Sequence, residues 1–343
     1  MKKLLNVLYV TTPESYLSLN GDNIVILMEG TEKFRIPLHT IESIVCFGYL
    51  GASPALMGYC ADHSVGLSFV TPNGKFLARV TGSVRGNVLL RRQQYRMADN
   101  ETGSIPVAAN CITGKLLNAR FLVGRGIRDH GDVLDEKKLN DASLYLKKGA
   151  ERIRNCTSLD EIRGVEGDCA KRYFDALDQL VLQQKDCFYM GERSKRPPKD
   201  NMNALLSFLY TLLAHDVESA LETVGLDPYV GFLHADRPGR ASLALDLMEE
   251  FRPFFADRLA LSLINRKQIT DKGFTLKESG GVIMDNETRK DVITAWQSRK
   301  QENITHPFLN EKMNIGLLPY VQALLLARHI RGDLDAYPPF IWK

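Results

Sequence analysis

The segment YLSLNGDNIVIL, Tyr16–Leu27, decides the fold class of the first part of this 343-residue chain. Two runs of strand-forming residues flank Asn20-Gly21-Asp22-Asn23, and an Asn-Gly pair between such runs is a strong signal for a β-hairpin. Phe34, Ile36 and Leu38 alternate with other residues and predict a further strand. The N-terminal sequence therefore favours a β-sheet.

The segments that follow the hairpin are also mostly strand-like. Ser53 and Pro54 have the character of an N-cap and a first helical residue, and predict one short helix that ends near His63. Pro72-Asn73-Gly74 predicts a turn. Further strands are predicted over residues 44–47, 66–70 and 76–80.

The sequence changes character after Gly82-Ser83-Val84-Arg85-Gly86, which has the composition of a linker. Leucine, alanine, arginine and lysine dominate beyond it and predict helices. The chain is therefore predicted to be α+β, with a small β-rich N-terminal domain (1–81), a linker (82–87) and a large, mostly α-helical domain (88–343). Helices are predicted from the capping box Ser158-Leu159-Asp160-Glu161 onward, over residues 203–223, over 242–265 with a kink at Pro253, and over 316–329.

Composition is that of a soluble globular protein, with 44% hydrophobic and 25% charged residues. A net charge of +3 neither requires nor excludes a nucleic-acid partner. The 6 cysteines include no C-x-x-C pair, which favours reduced thiols and a cytoplasmic location. The most apolar stretch, residues 205–214, is too short to span a bilayer, and the basic N-terminus precedes no long apolar run.

Four residues are candidates for chemistry. Glu166 shares the inward face of its predicted helix with apolar residues, and Gly164 and Gly167 beside it suggest a close approach to the backbone. The alternative for Glu166 is an ion pair with Arg163. His234 lies in a loop directly before a helix, where ligands are common.

Asp246 and Glu249 lie three residues apart within an apolar run, so both project from one side of a helix. Buried acids need a counter-charge, which a hard divalent cation would supply. The alternative is a solvated acidic stripe. Two carboxylates and one imidazole together suit Mg²⁺ or Mn²⁺. Six basic residues would form a track for phosphates beside the metal, unless they are simply solvated: Arg193, Lys195, Arg196, Lys199, Arg237 and Arg240.

These motifs together closely resemble the CRISPR-associated integrase of the adaptation stage, in the version found with type I systems. The resemblance covers nearly the whole chain. Where the family loop often reads Pro-Val-Asn-Ala, this chain has Asn201-Met202-Asn203-Ala204, which affects loop stiffness. The matching segments are Gly164–Gly167, Arg196–Asp200 leading into Asn203–Ser207, Gly231–His234, and Ser242–Glu249 followed by Phe251–Pro253.

The resemblance implies Glu166, His234 and Glu249 as metal ligands, with Asp246 as a further catalytic acid near the metal. It implies a homodimer that pairs through the β-rich domains and binds a small ferredoxin-like adaptation partner in a heterohexamer. It further implies double-stranded DNA as the nucleic-acid partner, both as the incoming segment and as the repeat array.

The hypothesis for function is DNA integration, in which a DNA 3′-hydroxyl attacks a phosphodiester at the edge of a repeat, assisted by the metal. Water as the nucleophile would make the same site an endonuclease. A second hypothesis is a non-catalytic scaffold for branched DNA with a structural metal. A third is a small-molecule metallohydrolase, against which the basic loop argues.

Overall fold

The computed structural model describes residues 7–48, 50–63, 65–72, 76–80, 82, 88–195 and 197–342. Arg196, the end of the predicted turn at Asn73-Gly74 and the predicted linker other than Gly82 lie outside these residues. The chain forms two compact units. One comprises Met1–Gly86, Asn286–Glu302 and Asn314–Leu317, and the other comprises Asn87–Asp285, Asn303–Met313 and Leu318–Lys343.

The first unit contains eight strands and one short helix in its described N-terminal part. They are β1 (Val7–Val10), β2 (Ser15–Asn20), β3 (Asn23–Met28), β4 (Thr31–Pro37), β5 (Ser43–Phe47), β6 (Gly51–Ala52), α1 (Pro54–His63), β7 (Gly66–Val70) and β8 (Phe76–Val80). The predicted hairpin is confirmed, because Asn20 pairs with Asn23 across the β2–β3 turn. Gly21 lies in that turn with φ of +57°, a conformation that glycine adopts without steric cost.

Two four-stranded sheets form, in the orders β4-β3-β2-β6 and β1-β5-β7-β8. In the second sheet β1, β5 and β7 run parallel, and β8 pairs antiparallel with β7. Helix α1 connects towards β7, and its predicted cap is confirmed, since the Ser53 hydroxyl accepts a hydrogen bond from Leu56 N at 3.2 Å. The core of the unit includes Leu17, Ile44 and Leu67, all fully buried.

The last third of the chain also contributes to this first unit. Helix α9 (Asn286–Gln301) belongs to it, and the Gln297 side-chain amide donates to the carbonyl oxygen of Val7 at 3.1 Å. Trp296 of α9 is fully buried. The mixed pattern of this part of the sequence did not predict that the chain contributes to the first unit again, because tertiary packing decides such contacts.

The second unit is mostly helical, which confirms the predicted α+β class. Its elements in the described residues are α2 (Val88–Ala98), α3 (Glu101–His130), α4 (Glu136–Ile153), α5 (Leu159–Gln179), α6 (Asn201–Val224), α7 (Ser242–Met248), α8 (Arg258–Asn265), α10 (Leu318–Arg331) and the short strand pairs β9 (Phe274–Leu276) with β10 (Val282–Met284) and β11 (Asn303–Thr305) with β12 (Lys312–Asn314). Across the described ranges, helices of the length and apolarity needed to cross a membrane are absent.

The sequence signals at helix ends are largely confirmed in this unit. Ser158 caps α5 by accepting from Glu161 N at 3.2 Å, while the Glu161 carboxylate returns to the backbone N–H of Thr157 at 2.7 Å. The helix predicted over residues 242–265 with a kink at Pro253 is interrupted and not merely kinked. Helix α7 ends at Met248, a π-helical turn spans Arg252–Asp257, and α8 follows. Proline causes this because it lacks a backbone N–H and its ring clashes with the preceding turn.

Candidate active site

Asp246 of α7 organises the loop that contains His234. Its side chain is 1% exposed and accepts hydrogen bonds from three consecutive backbone N–H groups, those of Phe232 (2.6 Å), Leu233 (2.9 Å) and His234 (3.0 Å). A fourth contact joins its Oδ1 to the His234 ring Nδ1 at 2.6 Å. The carboxylate is therefore saturated by its own chain.

The contact with Asp246 fixes the chemistry of His234. A carboxylate only accepts hydrogen bonds, so Nδ1 carries a proton, and in the neutral ring Nε2 is the nitrogen that has the lone pair. The His234 side chain is 29% exposed. A histidine held in this way by a buried carboxylate is a common arrangement for a metal ligand, because the partner fixes both tautomer and ring orientation.

Two arginines hold carbonyl groups of the same loop. Arg163 of α5 donates to Leu233 O at 2.7 Å, and Arg240 donates to Ala235 O at 2.6 Å. Arg163 thus pairs with the loop and with Asp160, not with Glu166 as the alternative for Glu166 supposed.

Glu166 and Glu249 meet at a lysine that the sequence analysis missed. Lys115 of α3 is buried, and its Nζ contacts Glu166 Oε1 and lies 2.8 Å from Glu249 Oε2. Glu166 is 28% exposed, whereas Glu249, which follows α7 directly, is 4% exposed. The other oxygen of Glu249 lies 2.9 Å from Arg252 Nη1.

The charges around these carboxylates are strongly coupled. Burial favours neutral Glu249, but the cations of Arg252 and Lys115 outweigh it and lower the Glu249 pKa to about 2. Burial likewise opposes the charge on Lys115, and Glu249 and Glu166 outweigh it and raise the lysine pKa. The site is therefore an ionised cluster. Since Asp246, Glu249 and the adjacent Glu250 are all buried, the alternative of a solvated acidic stripe on this helix is wrong.

The donor set fits a hard divalent cation. Glu166 and Glu249 supply carboxylate oxygens, and His234 lies close enough to Glu249 to lower the pKa of that carboxyl. Glu249 Oε2 is buried and faces the Lys115 ammonium at 2.8 Å, without an aligned hydrogen bond among the described residues, so a cation already lies where a metal ligand would bind its ion. Within the described chain, no three His, Cys, Asp or Glu side chains already surround one point, so the ligands must adjust to bind one ion.

Gly164 and Gly167, near Glu166, have open space beside them in the part of the chain that the structure describes. A Cβ at Gly164 or Gly167 would find no described atom within 4 Å. The close approach that the sequence suggested is therefore not made by the described residues of this chain. Gly231 is the glycine that the site requires, because a Cβ there would lie 2.8 Å from Asp246 Oδ2.

A family model for CRISPR associated protein Cas1 matches residues 8–298 of the sequence. The chain belongs to the Cas1 family. It is 52% identical over 343 residues to "CRISPR-associated endonuclease Cas1 1" of Chlorobaculum tepidum and 49% identical over 351 residues to "CRISPR-associated endonuclease Cas1 2" of Rhodospirillum rubrum, with 100% of both chains covered in each case. The resemblance seen in the sequence is confirmed, and the type I assignment stays a prediction.

Two solved structures share the fold. A Cas1 protein from Thermotoga maritima matches with a TM-score of 0.81 at 22% identity, over 96% of this chain and 97% of that chain. A casposase bound to integration product matches with a TM-score of 0.84 at 19% identity, over 99% of this chain and 95% of that chain. At this level of identity the likeness concerns the α+β architecture alone.

A group of buried polar residues adjoins Arg252 beside the candidate site. The hydroxyls of Tyr173 and Tyr210 each donate to Asp257 at 2.6 Å, and the guanidinium of Arg252 lies 4.9 Å from the Tyr210 ring centre. Burial raises the pKa of Asp257 to about 6, although both tyrosine hydrogen bonds oppose it. This group positions Arg252, which in turn holds Glu249.

Glu250 faces away from Glu249 and anchors the C-terminal segment. Its carboxylate accepts from Tyr337 OH at 2.6 Å, Phe340 N at 2.7 Å and the Gln322 amide at 3.0 Å. Burial raises the Glu250 pKa to about 8 against these hydrogen bonds. The Asn118 amide of α3 adds bonds to Glu250 O at 2.7 Å and Phe340 O at 2.9 Å.

The predicted basic track divides into two groups. Arg193 donates to Ser194 O and to Asn203 Oδ1, both at 2.6 Å, and Arg240 holds the His234 loop, so both already have partners. Partial desolvation, with Arg252 and Arg193 nearby, lowers the pKa of the Lys195 ammonium. Among the members of the track that the structure describes, the exposed ones are Lys195, Lys199 and Arg237.

Proposed function

We propose that this Cas1-family chain is a metal-dependent DNA integrase and endonuclease, which inserts short foreign DNA segments into a CRISPR repeat array. One observation carries the proposal. Asp246 fixes the His234 ring, and Glu166 and Glu249 converge on the same group, the Lys115 ammonium. The names of the relatives at 52% and 49% identity, CRISPR-associated endonucleases, support the reaction class.

Glu166, Glu249 and Nε2 of His234 would hold Mg²⁺ or Mn²⁺. When bound, the metal would lower the cost of deprotonating an attacking hydroxyl and stabilise negative charge on phosphate oxygens. In integration a DNA 3′-hydroxyl oxygen forms a bond to phosphorus, the existing P–O3′ bond breaks, and the released 3′-oxygen takes up a proton. Hydrolysis follows the same course with water as the nucleophile.

The basic residues would guide the double-stranded DNA towards this site. The exposed Lys195, Lys199 and Arg237 are the candidates for direct phosphate contact. Arg193 and Arg240 would contribute by holding their loops in shape as well as by charge. Arg196 remains a candidate in the same basic loop.

A strand-transfer assay on a supercoiled plasmid carrying a repeat tests the proposal. Glu166→Ala and His234→Ala are expected to abolish joining and cleavage in Mn²⁺, because each removes a ligand. Asp168→Ala is the matched control, since Asp168 is an exposed acid on the same helix as Glu166. Normal joining by either ligand variant would refute the site, and a loss in the control would make the assay uninformative about it.

For assembly, we infer a homodimer that binds a small ferredoxin-like CRISPR adaptation partner to form a heterohexamer, in the cytoplasm. Light scattering of the purified chain, alone and mixed with that partner, measures both stoichiometries. A monomer that binds no partner would refute the assembly and leave the site untouched.

The scaffold hypothesis gains one specific observation, which is that Lys115 and Arg252 already neutralise Glu166 and Glu249. Such a protein would not need metal to bind branched DNA. Divalent-ion dependence separates the two functions. A scaffold would bind branched DNA in chelator and show no strand transfer in Mg²⁺ or Mn²⁺.

A further inference from the structure

Lys115 has no part in the chemistry proposed above, yet it lies at the centre of the carboxylate cluster. It is on α3, between Gly114 and Leu116, and is 9% exposed. Lysine is almost never buried to this extent unless it is paired. Its partners are the same two carboxylates that would bind the metal.

The charges of the cluster balance without any added ion. Glu166 and Glu249 bring two negative charges, and Lys115 and Arg252 bring two positive ones. A divalent cation bound to the same carboxylates would add two positive charges close to the Lys115 ammonium. Charges of one sign at such short range, in a buried site, repel strongly.

We propose that the Lys115 ammonium and the divalent metal compete for the same oxygens, Glu166 Oε1 and Glu249 Oε2. Metal loading then requires the ammonium to withdraw, and Lys115 sets the metal concentration at which the site loads. Arg252 does not compete in this way, because it contacts the opposite oxygen of Glu249. Lys115 is thus a positioning residue that keeps the two carboxylates together until metal replaces it.

This inference rests on the proposed metal site, and direct metal binding tests the two separately. Mn²⁺ affinity is measured by calorimetry on purified protein without DNA. The variants are Lys115→Met, Lys115→Arg, and Lys147→Met as the control for loss of one lysine. Lys147 is half-exposed on α4, 4.0 Å from Glu151. Glu166→Gln in the wild-type background reports whether binding occurs at the proposed ligands.

Removal of the competing charge should tighten Mn²⁺ binding by Lys115→Met about tenfold, a coupling typical between two ligands of linked sites. Lys115→Arg keeps a cation and should stay near the wild-type affinity, as should Lys147→Met. Mn²⁺ should also raise the melting temperature of Lys115→Met by more than that of wild type. A merely structural lysine would give Lys115→Met an affinity equal to or weaker than wild type, and this result overturns the inference.

The remaining outcomes separate the inference from the proposed function. If wild type binds Mn²⁺ in a Glu166-dependent way while Lys115→Met binds it no more tightly, the inference is overturned. That result is still consistent with the proposed metal site. Absence of binding in both overturns both. If Lys115→Met unfolds in chelator, the proposal expects Mn²⁺ to restore its circular dichroism spectrum, because the metal replaces the lost charge. Failure of Mn²⁺ to restore it also overturns the proposal.

Discussion

The Asp246→Asn substitution tests how this Cas1-family site is built. In the wild type, Oδ2 accepts from Phe232 N and Leu233 N, and Oδ1 accepts from His234 N and its ring Nδ1. Asparagine has one carbonyl oxygen and one NH₂ group, and the NH₂ group cannot accept. Whichever way the amide turns, its NH₂ group takes the place of one carboxylate oxygen, so the two N–H donors that faced that oxygen lose their acceptor. If the NH₂ group faces His234, one of these bonds can re-form only when ring Nδ1 gives up its proton.

The magnitude follows from these contacts. A hydrogen bond to a charged group contributes about 1.5–3 kcal/mol, so loss of two predicts a decrease of about 3–6 kcal/mol in the free energy of unfolding. In the orientation that turns the NH₂ group towards the ring, it would also favour the tautomer that carries its proton on Nε2. That tautomer cannot bind a metal through Nε2, and loss of such a supporting carboxylate typically costs about 10–100-fold in metal affinity or activity.

Urea denaturation measures the stability of Asp246→Asn, and the strand-transfer assay in Mn²⁺ measures its activity. Asp141→Asn is the matched control, because Asp141 is an exposed acid on α4. It should change stability by less than about 0.5 kcal/mol. Wild-type stability together with wild-type strand transfer in Asp246→Asn would refute the role given to this carboxylate.

Three further predictions follow from the contacts. Because the Glu249 pKa is lowered to about 2, the stability that ionised Glu249 contributes is present above about pH 4.5 and is lost towards pH 2. In denaturant titrations, the difference in unfolding free energy between wild type and Glu249→Gln should therefore narrow by about 3 kcal/mol between pH 5 and pH 2. A difference that stays constant over this range would contradict the prediction. Tyr337→Phe removes a donor from buried Glu250 and should lower the free energy of unfolding by about 1–3 kcal/mol; an unchanged urea midpoint would contradict this. Gly231→Ala should destabilise the fold by about 1–3 kcal/mol, because the added Cβ would meet a carboxylate oxygen of Asp246 in α7. Gly164→Ala, which has open space, should stabilise the fold by up to about 1 kcal/mol in melting experiments. Equal effects of the two substitutions would show that the glycine contacts are wrongly assigned.

The elements that the sequence predicted well are those with local causes. The Asn20–Asn23 turn, the Ser53 cap and the Ser158 cap each depend on residues within four positions, and all three are confirmed. The place of helix α9 in the first unit was missed, because it depends on contacts with residues more than two hundred positions away. The hydrogen bond from Gln297 to Val7 is one such contact. Long-range pairing of this kind leaves no periodic trace in a single sequence.

The candidate site shows the same division. Glu166, His234 and Glu249 could be selected as polar residues in apolar or loop surroundings, but their partners could not. Lys115 comes from a helix more than fifty positions away from Glu166, and Arg163 holds a carbonyl seventy positions away. One signal for Lys115 was available, since a lysine within the apolar sequence of α3 requires a buried counter-charge.

The three acids at the end of α7 show why residue type alone could not assign their roles. Asp246 accepts four bonds and orders a loop, Glu249 is ionised by two cations, and Glu250 holds the C-terminal segment. Successive residues of a helix point about 100° apart, so Glu249 and Glu250 face different surroundings. Each carboxylate takes its role from what it faces, and Glu249 faces Arg252 because residues three apart lie on the same side of a helix.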